Sequence, residues 1–156
     1  MLAIRSIEVG EGSLEAIVFV TDQSYLRTSH IRDLPERAVE LLPGLRRHSC
    51  DNEGELDFVR ELRDTESAHL LEHIACELMA LAGSPRSLRG RTSWDFSRDG
   101  RGVFRVSLEF DDELVAMGAL DEAVRIVEWL LAGEERGAAP DVDVAVARLA
   151  RLRTTA

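Results

Sequence analysis

His69 and His73 stand four residues apart with Glu72 directly before the second, in the run His69-Leu70-Leu71-Glu72-His73. On a helix of ~100° per residue the two imidazoles project side by side, one turn apart, the spacing at which both can bind one zinc ion. With His69 taken as zero, His73 lies near ~40°, whereas Leu71, Ile74, Leu78 and Leu81 fall between about 120° and 200°. Histidines serving only as core residues would sit among those leucines, and these do not. Glu72 is about 80° to one side of the histidine pair. From there a carboxylate can take the proton of a water that zinc has acidified to a pKa near ~7. Glu77 lies on the same side one turn further on, and helical side chains lean toward the N-terminus, which makes it a candidate third metal ligand. Three ligands at such spacing span about 12 Å of helix axis, so Glu77 alternatively orients His73 or a substrate. Glu109, on the polar face of a later strand, is another candidate, and His48 with Cys50 is a pair that folding could bring near. The competing reading is a polar helix face turned to water.

The order His-x-x-Glu-His inverts the familiar His-Glu-x-x-His and marks the inverzincin type of zinc peptidase. The helix that must carry it is predicted over residues 65–82. Asp64 or Thr65 is its expected N-cap, Glu66 lies in its first turn, and Gly83 and Pro85 close it. Before it, residues 2–9 and 14–21 read as two strands joined across Gly10–Ser13. The second strand is a continuous apolar run of β-branched and aromatic types, as a buried strand would be. Pro35 opens a short helix to about Leu42, ended by Pro43-Gly44. Residues 55–63 suggest another short helix. Residues 91–97 alternate, with Thr92, Trp94 and Phe96 on one face, and residues 103–110 alternate with Phe104, Val106, Leu108 and Phe110 together. Between them Arg98-Asp99-Gly100-Arg101-Gly102 carries the Asp-Gly hairpin signal. Asp111 or Asp112 caps a helix to about Ala132, closed by Gly133, and residues 142–152 form a last amphipathic helix. Strands, helices, strands, helices in that order predict a single α+β domain, a small mostly antiparallel sheet backed by helices.

The 156 residues suit one domain, and 45% hydrophobic with 31% charged residues is a globular balance. No apolar run approaches the ~18 residues of a membrane span, and the N-terminus lacks a signal-peptide pattern. Two cysteines, Cys50 and Cys76, make no disulfide framework, so a cytoplasmic location is expected. All 19 basic residues are Arg, against 29 acidic ones, and the net charge of −10 argues against nucleic acid as a partner. Leu114, Val115, Ile126, Val127 and Trp129 give the penultimate helix an apolar character that serves either pairing with a second copy or ordinary core packing. Cys76 as a reactive thiol lacks a nearby partner cysteine.

Several further segments resemble the N-terminal domain of cyanophycin synthetase. They are Leu42-Pro43-Gly44-Leu45, His48-Ser49-Cys50, Phe58-Val59-Arg60-Glu61-Leu62, Ala68 to Leu78 with its His-x-x-Glu-His-x-x-x-Glu pattern, Leu81-Ala82-Gly83, Gly90-Arg91-Thr92 and the strand ending Leu108-Glu109-Phe110. The similarity runs over residues 40–132. It implies a metallopeptidase-like site in which His69, His73 and Glu77 bind zinc and Glu72 is the base, acting on cyanophycin-like or other Arg/Asp-containing chains. Arg91 and Thr92, with Glu109, are then the expected substrate contacts. The sequence shows no Gly-rich phosphate loop and no ATP-grasp domain, so a stand-alone form is expected, not the synthetase. The first 40 residues also lack the Gly-Pro-Asn segment expected early in that family, and a groove built there should differ. A non-catalytic binding or accessory domain that kept the fold is the alternative the resemblance leaves open.

Overall fold

The computed structural model describes residues 1–50 and 57–153. Its strands are β1 (Leu2–Val9), β2 (Ser13–Val20), β3 (Gly90–Ser93) and β4 (Val103–Glu109). The helices are α1 (Leu34–Leu41), α2 (Phe58–Glu61), α3 (Ser67–Leu81), α4 (Phe96–Asp99), α5 (Glu113–Leu131) and α6 (Val142–Leu152). The strands form one sheet in the order β1-β2-β4-β3, and every neighbouring pair is antiparallel. The α+β expectation holds.

Strand periodicity decides which face is covered. Leu14, Ala16, Val18 and Val20 of β2 are buried together with Phe104, Val106 and Leu108 of β4, in one core with the apolar faces of α3 and α5. The β2 run is buried on this one face. Ile17 and Phe19 turn to the other face and are half-buried, and the Arg5 guanidinium lies 4.0 Å from the Phe19 ring centre. An aromatic covered by an arginine needs no second layer.

α3 is the central helix. Leu70, Leu71, Ile74, Ala75 and Leu78 are fully buried, and on the opposite side Glu72, His73 and Glu77 are buried as well. The polar face is thus covered by protein and not turned to water. Leu81, placed by periodicity among the core residues, is 44% exposed at the last turn. The start of the helix also differs from expectation. Asp64 and Thr65 do not cap it, because Arg27 takes Asp64 at 2.7 Å and Glu66 at 2.5 Å. Glu66 itself occupies the cap position, and the Ser67 amide donates to the Leu26 carbonyl.

β3 is shorter than the alternation predicts. Asp95 accepts from the Arg98 amide and the Ser97 hydroxyl, starting α4 and bending the chain away from the sheet. Trp94 is consequently 47% exposed, while Phe96 meets Phe104 edge-on. Asp112 caps α5 through the Val115 amide, and Gly133 at φ +59 ends it. α6 crosses α5 at Gly118, where a Cβ would lie 2.7 Å from Leu149 Cδ2, so a larger residue there would push the Leu149 and Leu152 methyls aside. Val115, Ile126 and Val127 are in the core, which leaves Leu114 exposed and Trp129 half-buried beside Arg136. Of the short helix expected over residues 55–63, Phe58–Glu61 is helical, while Glu55 and Leu56 lie outside the described residues. Among the described residues no helix is long and apolar enough to cross a membrane.

Candidate metal centre

Three histidines meet on α3. His69 and His73 are there by helical spacing, and their Nε2 atoms face one another at 3.1 Å. His48 arrives from the end of a 3-10 turn, Pro43–Arg47, and its Nδ1 lies 2.9 Å from Nδ1 of His73. Its other nitrogen, Nε2, meets Glu77 Oε2 at 2.7 Å. Phe58 of α2 stacks on the His73 ring at 3.7 Å between centres and 15° between planes, and stands edge-on to His69. Pro43 turns the chain back over α3, and Gly44 allows it to come close. A Cβ on Gly44 would fall 1.8 Å from Glu77 Oε1.

One set of ring tautomers leaves both facing nitrogens able to bind a metal. Glu77 accepts the Nε2 proton of His48, and in the pattern that suits a metal the His48 Nδ1 accepts from His73 Nδ1–H. His73 is left with a lone pair on Nε2. On the other side, Nδ1 of His69 lies 2.9 Å from Thr65 Oγ1; in the same pattern the hydroxyl oxygen accepts that proton and the His69 Nε2 lone pair is free. In that pattern the two Nε2 lone pairs face each other, an arrangement that a cation between them satisfies. Their separation is close to the ~3.3 Å that two ligands keep on a tetrahedral zinc with bonds of ~2.05 Å. Cys50 Sγ completes a group with His69 and His73 whose ligand atoms all lie within 4.8 Å of one another. The Cys50 thiol also contacts Glu61 Oε2 at 2.6 Å, and Glu61 Oε1 is 3.9 Å from His69 Nδ1. The donor set of two imidazoles and one sulfur suits zinc.

Burial sets the charge states. It lowers His69, against the pull of Glu61 and Glu66, and pushes His73 down to about 2 with help from His69 and His48. Both rings are therefore neutral and able to donate lone pairs at ordinary pH. Burial alone would raise Glu77, but hydrogen bonds from His48 and Arg86 outweigh it and hold the carboxyl at about 2. Arg86 grips both oxygens, at 2.9 and 3.2 Å. Glu77 thus has its oxygens engaged by His48 and Arg86, and its link to the His69/His73 pair runs through His48.

Glu72 faces the cluster from the same helix, with Oε1 3.9 Å from His73 Nε2. Thr92 donates its hydroxyl to Glu72 Oε2 at 2.6 Å, and Gly90 leaves room for the stem, since a Cβ there would lie 2.6 Å from Glu72 Cγ. Burial pushes the Glu72 carboxyl up to about 7, with Glu61 adding to the shift and the Thr92 hydrogen bond opposing it. A proton held more tightly by the folded than by the unfolded chain stabilises the fold below the ordinary value near 4.5, and that contribution is lost as pH rises through about 7. Glu72→Gln, which cannot ionise, is therefore expected to gain ~3 kcal/mol on the metal-free wild type between pH 5 and 8. Chemical denaturation of both proteins at the two pH values measures it.

The cluster opens into a cavity of about 1020 Å³ bounded by His48, Cys50, His69, Glu72 and His73 on one side. Arg47, Arg86, Arg89, Arg91 and Thr92 line the other side. Arg47, Arg89 and Arg91 have no ion-pair partner among the described residues. Glu109 is not part of this lining; its carboxylate accepts from the Arg89 amide at 2.8 Å, at the start of β3. Thr92 reaches Glu72 from the cavity wall, and Arg91 is exposed beside it. Cys76 also borders the cavity, but burial pushes its thiol up to about 12, which removes it as a nucleophile. Sequence spacing did not reveal Phe58, Thr65 or Glu61. Phe58 had a signal, an aromatic flanked by apolar and charged residues at helical spacing, but nothing local says what it stacks on.

A family model described as a cyanophycin synthase-like N-terminal domain matches residues 16–132, reaching further toward the N-terminus than the resemblance read from the segments. A cyanophycin synthetase from Geminocystis herdmanii (strain PCC 6308) is 32% identical over 97 residues, which is 62% of this chain. The matched part is 11% of the length of that synthetase.

Proposed function

The chain belongs to the family of cyanophycin synthase-like N-terminal domains, and from that premise we propose a zinc-dependent peptidase or amidase site acting on cyanophycin-like or other Arg/Asp-containing chains. The observation that carries the reading is the pair of Nε2 atoms of His69 and His73, 3.1 Å apart with Cys50 Sγ near them, and a carboxyl poised near neutrality beside them. His69, His73 and Cys50 are the residues that would hold the metal. When bound, zinc supplies Lewis acidity toward a carbonyl oxygen and toward water. Glu72 acts as general base: its carboxyl near 7 is matched to taking a proton at neutral pH, and Thr92 keeps one oxygen fixed while the other faces the cluster. Glu77 is a positioning residue, fixing His48 and through it the tautomer of His73, in the way outer carboxylates orient ligating histidines. The cavity arginines would receive carboxylates of the bound chain.

A second reading is a binding or accessory domain without catalysis, and Arg47, Arg89 and Arg91, without an ion-pair partner among the described residues, favour it, because they need no metal to hold an acidic chain. Incubation of the zinc-loaded protein with an Asp/Arg polymer separates the two. Shorter chains with new amino termini support the hydrolase. A polymer that binds and stays intact while zinc is retained overturns it in favour of the binding domain.

A further inference from the structure

β3 is the outer strand of the sheet and is paired on one side only. The Glu109 amide donates to the Arg89 carbonyl at 2.9 Å. Ladder bonds between antiparallel strands alternate along the chain, so Arg91 opposite Ser107 and Ser93 opposite Arg105 are the residues that face β4. Gly90 and Thr92 therefore turn their N–H and C=O groups outward, and among the described residues neither amide has a partner beyond the ladder. The same two residues sit directly on Glu72, Thr92 by its hydroxyl and Gly90 by its missing side chain. The open edge thus runs along the wall of the cavity, past the carboxylate and beside His69 and His73. On this edge Arg89 and Arg91 lack ion-pair partners among the described residues, although the chain as a whole carries −10.

We propose that an extended peptide bearing free carboxylates binds as a fifth strand along β3, its backbone pairing with Gly90 and Thr92 and its carboxylates held by Arg89 and Arg91. Strand addition draws affinity from main-chain hydrogen bonds and selectivity from alternate side chains, and both are offered here. An acidic chain without peptide groups, such as single-stranded nucleic acid, would satisfy the arginines but leave the edge amides unpaired. The inference rests on the peptide-chain part of the reading above and not on its metal.

The test uses zinc-free protein and a short end-blocked peptide of alternating Asp and Arg, with single N-methyl groups placed in turn at each position. Strand addition predicts that N-methylation weakens binding roughly five- to tenfold at every second position and is tolerated between them. It also predicts slower amide exchange at Gly90 and Thr92 in the complex, and weaker binding by Arg91→Ala at low salt than at high salt relative to wild type. No binding of the unmethylated peptide at millimolar concentration, or losses without a period of two, overturns it. A protein that binds no zinc but shows the two-residue period would sink the hydrolase and leave this inference standing; cleavage without the period would do the reverse.

Discussion

Glu72→Gln is expected to keep the bound metal and lose chain cleavage by about 10²- to 10⁴-fold, the usual worth of a positioned general base. Gln preserves the shape and accepts the Thr92 hydroxyl as the carboxylate does, so the cavity wall should not move. What it removes is the basic oxygen 3.9 Å from His73 Nε2. The same substitution should stabilise the metal-free fold at neutral pH, because a buried carboxyl with its pKa near 7 is costly to ionise. A variant more stable yet far less active is the signature of a residue kept for chemistry. Turnover of an Asp/Arg polymer, measured with zinc content on the same samples, checks both halves. Unchanged turnover at full zinc occupancy would remove Glu72 from the reaction.

Glu77 should behave in the opposite way. Its side chain is 1% exposed, with His48 on one oxygen and Arg86 on both. Glu77→Ala leaves those donors facing a void and is expected to cost roughly 3 kcal/mol, toward the lower end for a broken buried pair because Arg86 is half exposed and can hydrate. Glu77→Gln retains the volume and one acceptor, so most of the fold survives, but it no longer enforces the His48 proton position. Zinc affinity should then fall by about 10- to 100-fold. Thermal denaturation reads the first effect and competition with a chelator the second. Affinity equal to wild type in Glu77→Gln would mean that His73 is oriented without the Glu77–His48 link.

The histidine pair was legible because a single helix fixes its geometry: four residues are one turn whatever surrounds them. What covers that face was not legible. Periodicity separates His69 and His73 from the leucines, but it cannot tell water from protein on the far side. The cover comes from Phe58 and from the chain at Pro43–Arg47, both remote in sequence. Gly44 was the available signal, since a glycine after proline reads first as a helix stop and only in three dimensions as the gap that admits Glu77. His48 and Cys50 were visible as ligand types, and only tertiary closure brings them to α3. In the sheet, alternation gave β4 and its buried residues, while β3 ended early because Asp95 bonds its own loop. The arginine-lined wall follows from the short turn between α3 and β3, which no composition average of an acidic chain discloses.

Elemental analysis of the purified protein beside the double variant His69→Ala/His73→Ala reads the metal site most directly. Close to one zinc per wild-type chain, retained through gel filtration, is expected, with loss of that zinc in a variant that keeps its helical circular dichroism. A wild-type protein that takes up no zinc when it is offered at neutral pH, or a double variant that binds as much as wild type, would contradict it.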